Sequence, residues 1–182
     1  MLHLKNVFLQ LQERIRSIGV SNFQISDLEQ LLDSMETSDI LPHVNQCEFH
    51  PCQNPKELIK FCNGKQIQFG GFCPLAKGRL LNDESVLKIA KELGKTPAQV
   101  LIQWSIQHKV LTIPKSTKKE HVFENYESLN FQLPSMAVKS LDQMHNNLRV
   151  VPIENMQQKL DTKMMDGYKL NNSLCSLPPS NL

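Results

Sequence analysis

Ser17-Ile18-Gly19-Val20-Ser21-Asn22-Phe23 is the stretch whose reading decides the fold. A short apolar run stops at two small polar residues, and a helical period follows at once. Buried parallel strands hand over to helices in this way. The period is Leu28, Leu31, Leu32 and Met35, spaced i, i+3, i+4, i+7 behind Ser26-x-x-Glu29, which reads as a capping box. The short apolar runs 44–49, 67–73 and 110–114 repeat the first strand's pattern (15–20). Between them a short helix is expected over 56–62. Val86, Ile89, Ala90 and Leu93 mark another, stopped by Gly94. Thr96-Pro97-Ala98-Gln99 opens the next, to about His108, with Thr96 as N-cap and Pro97 in the first turn, where its missing N–H is harmless. Thr117-x-x-Glu120 opens one carrying Val122 and Phe123, and Ala137, Leu141, Met144 and Leu148 mark the last. Residues 2–13 read as a helix feeding the first strand. Strand-helix alternation of this kind builds a parallel α/β sheet. Four strands are too few to close a (β/α)₈ barrel, which typically takes ~250 residues.

The totals agree with one such domain. The 182 residues are 40% hydrophobic and 21% charged, enough to bury a core. A formal net charge of +2, with acids and bases interspersed, argues against a nucleic-acid or membrane-surface protein. No run reaches the ~18 apolar residues of a membrane span, and the start lacks a signal-peptide apolar core. Five cysteines, none in Cys-x-x-Cys spacing, suggest reduced thiols and a cytoplasmic setting. The expected organisation is a folded domain over 1–150 and a polar, loosely ordered tail over 151–182. No repeat of fixed period and no metal-ligand spacing is present.

Parallel α/β folds place their chemistry at the C-terminal ends of the strands. There stand Ser21 and Asn22, then Asn45, Gln46, Glu48 and His50, then Phe72 and Cys73, then Lys115 and Ser116. Ser21 and Asn22 suit a turn or helix entry as well as a site. A buried Gln46 must hydrogen-bond something, because an unpaired buried amide costs ~1–3 kcal/mol. Lys115-Ser116, just before a helix start and with Lys118 and Lys119 beside it, suits a phosphate; a solvated lysine face is the alternative.

Ile18-Gly19-Val20-Ser21-Asn22-Phe23, Val44-Asn45-Gln46, Pro74-Leu75, the Thr96 helix with Ala98-Gln99-Val100-Leu101-Ile102, and Ile113-Pro114-Lys115-Ser116 occur together, in order. In this the chain resembles the aldo-keto reductases, over roughly 15–148. The resemblance implies the last four βα units of a TIM barrel, a parallel (β/α) half barrel carrying the NADP side. It implies that Ser21, Asn22 and Gln46 grip the nicotinamide carboxamide, and that Phe72 stacks on its ring where the family usually has tyrosine. Cys73 replaces a serine near the pyrophosphate, along which the turn from Leu75 would run. Lys115 and Ser116 would meet the 2′-phosphate, and Glu124 and Asn125 the adenine. His121 replaces the usual arginine and cannot form its bidentate fork, which leaves NAD as an option beside NADP.

The family reduces aldehydes and ketones with NAD(P)H, using an aspartate, tyrosine, lysine and histidine on its first four strands. By the resemblance those strands lie upstream of this chain, so no catalytic residue is assigned. Tyr126, Tyr168 and His50 fall in the wrong places to donate the proton. The expected partners are a nicotinamide nucleotide and a second copy or another chain completing the barrel. A non-catalytic regulatory or binding module built on the same barrel is the alternative.

Overall fold

The computed structural model describes residues 16–33 and 41–152. The chain divides into a unit of Met1–Val150 and one of Val151–Leu182, and the account below is of the first. The helix expected over 2–13, Met35 and almost all of the expected tail lie outside the described residues.

Four strands, β1 (Gly19–Ser21), β2 (Val44–Glu48), β3 (Gln68–Phe72) and β4 (Leu111–Thr112), form one parallel sheet in the order β1-β2-β3-β4. The helices are α1 (Ile25–Asp33), α2 (Lys56–Gly64), α3 (Glu84–Leu93), α4 (Pro97–Gln107), α5 (Lys119–Tyr126) and α6 (Ser135–Asp142). Strand-helix alternation is therefore as the periodicity predicts, with strands a residue or more shorter than the apolar runs.

Register sorts the strand residues into two faces. Val20, Asn45 and Phe69 lie abreast, as do Cys47, Gly71 and Thr112. On this face Val20, Asn45, Cys47 and Phe69 are buried. Phe49 continues the row, stacking on Trp104 of α4 with ring centroids 4.7 Å apart and meeting Phe69 edge-on at 5.8 Å. Each fully buried Leu, Val, Ile or Phe here contributes about 1.5–3 kcal/mol. Gly71 is required by this packing: a Cβ there would stand 2.8 Å from Val110 Cγ1 and 2.9 Å from Phe49 Cβ.

The opposite face carries Ser21, Gln46, Gly70 and Leu111 abreast, with Glu48 opposite Phe72. Much of it is open: Leu111 is 49% exposed and Ile113, two residues on, 41%. Gln46 is only half-buried, so the expectation of a buried Gln46 is corrected. The fully buried amide is Asn45, on the dry face, where it donates to Phe23 O at 2.9 Å and accepts from Phe23 N at 3.4 Å.

Three helix ends also differ from expectation. The α1 cap is not Ser26, which lies inside the helix; Asp27 reaches back to accept from Gln24 N at 2.8 Å. Its carboxylate serves the helix's positive end. Thr117 does not open α5. Ser116 Oγ instead accepts from Lys118 N at 3.1 Å, a local hydroxyl turn, and the helix begins at Lys119. The last helix stops at Asp142 rather than running to Leu148. Buried acceptors outcompete its continuation: Asn146 N and Leu148 N both donate to Cys52 O, and Val150 N donates to Glu48 Oε1 at 2.6 Å. By contrast Thr96 caps α4 with Pro97 in the first turn, and Gly94 ends α3 in the left-handed conformation (φ 61°), both as the sequence predicts.

Asp142 then docks α6 on α4. Its Oδ1 accepts from Trp104 Nε1 at 2.9 Å and lies 2.8 Å from His108 Nε2.

Candidate functional site

The C-terminal strand ends hold two groups of the residues singled out from sequence. At the ends of β1 and β2, Asn22 takes a positive φ of 61°, which asparagine tolerates better than most residues. That turn sends Asn22 N to Gln46 O at 2.9 Å and Asn22 Nδ2 to Ser21 Oγ at 3.0 Å, while Ser21 Oγ donates to Gln46 O at 2.9 Å. Ser21, Asn22 and Gln46 thus form one small network with the Gln46 backbone at its centre. The turn reading and the site reading of Ser21-Asn22 are compatible. Phe72 and Cys73 close β3, both half-buried, with Phe72 level with Glu48. Cys73 (φ 55°), Ala76 (φ 47°), Lys77 (φ 55°) and Gly78 (φ 85°) carry the following turn through left-handed backbone. Turns of this kind can aim successive N–H groups at an anion.

Two buried groups stand behind this edge. His50 is fully buried with Nε2 2.8 Å from Glu48 Oε1, and burial holds its pKa below the ordinary imidazole value. Glu48 Oε1 also takes Val150 N, so this pair clasps the segment that follows α6. Desolvation pushes the Cys47 thiol up to about 11. Cys73 is the most accessible cysteine among the described residues.

The second group lines a cavity of about 210 Å³ between the start of α4 and the length of α5, walled by Leu75, Leu81, Pro97 and Ala98 and by Lys115, Ser116, His121, Glu124 and Asn125. Leu75, Lys115, Ser116, His121, Glu124 and Asn125 were all singled out in the sequence, and the fold brings them to one wall. A lysine, an imidazole, a hydroxyl, a carboxylate and an amide stand over apolar walls. The volume lies below the ~300–1,000 Å³ of a drug-sized pocket, so it admits one end of a dinucleotide. Cation and hydroxyl suit a phosphate, carboxylate and amide suit a base edge, and the residues present fit a nucleotide. Sequence reasoning missed Leu81, Pro97 and Ala98; the turn that folds 75–81 back against α4 has no signature in local spacing.

Comparison with known proteins bears on both groups. The model of the Aldo/keto reductase family matches residues 8–146. An uncharacterized oxidoreductase of Caenorhabditis elegans, ZK1290.5, is 42% identical over 167 residues, 91% of this chain and 50% of that protein. Glyoxal reductase of Bacillus subtilis is 43% identical over 139 residues, 76% of this chain and 49% of that protein. The chain therefore spans about half the length of the curated relatives it matches. Among solved structures, a Gox0644 mutant in complex with NADPH aligns with a TM-score of 0.72 at 36% identity, covering 78% of this chain and 52% of that one. MGS-M4, an aldo-keto reductase from a deep-sea metagenome library, aligns at 0.75 and 31% identity, covering 81% and 55%.

Proposed function

The chain belongs to the aldo/keto reductase family, and from that premise we propose that it is the nicotinamide-nucleotide side of an NAD(P)H-dependent carbonyl reductase. The observation that carries this reading is the cavity. Lys115, Ser116 and His121 meet Glu124 and Asn125 across one apolar-walled space, with the cation beside a helix start that favours an anion. In this reading Lys115 and Ser116 hold the 2′-phosphate, Glu124 and Asn125 the adenine, and the turn 75–78, left-handed from Ala76 to Gly78, the pyrophosphate. Ser21, Asn22 and Gln46 orient the carboxamide, and Phe72 offers its ring as a stacking face. When bound, the cofactor supplies the hydride for reducing an aldehyde or ketone.

Protonation of the nascent alkoxide needs a further group. Tyr126, the one tyrosine among the described residues, is 64% exposed on α5, and His50 is sealed against Glu48. We assign no catalytic residue; in this reading the acid belongs to the other half of the barrel, which a second copy or another chain would complete. The open sheet face with Leu111 and Ile113 supports that reading, since such a face in a closed barrel is packed core.

Calorimetric titration tests the proposal. Folded protein should bind NADP(H) weakly and show no NADPH-dependent turnover of an aromatic aldehyde above background. General acid catalysis alone is worth ~10²–10⁴-fold. Absence of binding at millimolar nucleotide would remove the nucleotide site, and robust turnover after rigorous purification would refute the missing acid.

A further inference from the structure

A capping box needs only two reciprocal bonds: the N-cap side chain to the N3 backbone, and the N3 side chain to the N-cap backbone. Thr96 and Gln99 make both, with Gln99 N donating to Thr96 Oγ1 at 3.2 Å and Thr96 N donating to Gln99 Oε1 at 3.1 Å. Each then makes one bond more, and both extra bonds go to the same residue. The Thr96 hydroxyl donates to Glu124 Oε1, and Gln99 Nε2 donates to Glu124 O at 3.2 Å. The start of α4 is thereby tied to α5 at the one carboxylate that lines the cavity.

The valences leave little choice. Thr96 has one hydroxyl proton, and Glu124 Oε1 takes it while the oxygen accepts Gln99 N. Gln99 has its carbonyl spent on Thr96 N, which fixes its amide nitrogen toward Glu124 O. Glu124 is consequently held by backbone and by one carboxylate oxygen. Its other oxygen, Oε2, has no partner among the described residues. A carboxylate fixed by one oxygen is a directional acceptor: it welcomes an amino group and repels a carbonyl oxygen.

We infer that Thr96, with Gln99 behind it, is a positioning residue that sets base selectivity in this cavity, making it accept a 6-amino purine and reject a 6-oxo purine. The inference rests on the nucleotide reading of the same cavity. Without the Thr96 hydroxyl the half-buried Glu124 side chain turns freely and the discrimination fades.

The probes are adenosine 2′,5′-bisphosphate and its inosine counterpart, which carry identical phosphates, titrated into the full chain. Wild type should favour the adenosine compound by about tenfold or more, the range expected where a hydrogen-bonding site meets a mismatched group. Thr96→Ser keeps the hydroxyl and should keep the ratio. Thr96→Val removes it, and Thr96→Asp keeps a helix-capping oxygen without the donor; both should bring the ratio to within about twofold of unity. The emission of buried Trp104 checks folding of every variant, and if Thr96→Val does not fold, Thr96→Asp decides. A wild-type ratio retained in Thr96→Asp overturns the role of Thr96 while the nucleotide site stands. Equal binding of the two compounds by wild type overturns the selectivity. Binding of neither by folded wild type overturns the nucleotide reading itself.

Discussion

His121 lines the cavity with Lys115 and Ser116, where a fixed cation would meet a phosphate directly. An imidazole lacks the planar fork of donors that a guanidinium presents. His121→Arg should strengthen NADP binding more than NAD binding, by on the order of 1 kcal/mol for an exposed charge-assisted contact. Equal gains for the two nucleotides would place the side chain away from the phosphate. His50 makes the opposite kind of prediction, about stability. Burial lowers its pKa from 6.5, so the unfolded chain binds the extra proton first as pH falls. Its contribution is complete above 6.5 and declines below that, until the lowered folded value is reached. The slope in that window is at most about 1.4 kcal/mol per pH unit. Urea midpoints between pH 7.5 and 5.5 should fall in wild type and fall less in His50→Gln; equal slopes would mean that His50 does not carry the effect.

At the scale of elements, β3 packs closely at Gly71. Gly71→Ala would push a methyl into both Val110 and Phe49, at distances real Cβ atoms essentially never show. Overpacking of this kind costs about 1–3 kcal/mol. Denaturation followed by Trp104, which is fully buried on Phe49, should show that loss; an unchanged midpoint would mean that β3 and β4 can part without cost. Trp104 is the natural probe of that loss. It sits in the core with its Nε1 on Asp142, so it reports folding. Val122 and Phe123, the apolar residues expected on their helix, are 52% and 60% exposed.

At the scale of the molecule, the sheet has one dry face and one open one, and β1 and β4 each pair on one side only among the described residues. Unpaired strand edges and uncovered apolar side chains recruit other chains. Parallel strands continue in the same sense around a barrel, so two copies could close eight strands. Sedimentation at low concentration should therefore find dimers or larger species, and a stable, cooperative monomer would mean that other parts of the chain cover the edges and face.

Local chemistry made much of this legible beforehand. The strand-helix order, the Thr96-Pro97 helix start and the Gly94 stop follow from short-range rules, because a cap or a left-handed residue acts within one turn. The site residues were legible only through their motifs, and spacing could not show that residues 75, 115 and 124 share a wall. Which strand amide is buried was beyond the sequence too. Asn45 and Gln46 are chemically alike and adjacent, and alternation along a strand says only that they face opposite ways. The covering helices decided that Asn45 is sealed and Gln46 stands on the open face. Likewise the end of α6 was settled not by its own apolar period but by Cys52 O and Glu48 Oε1, acceptors almost a hundred residues earlier that only the folded chain brings within reach.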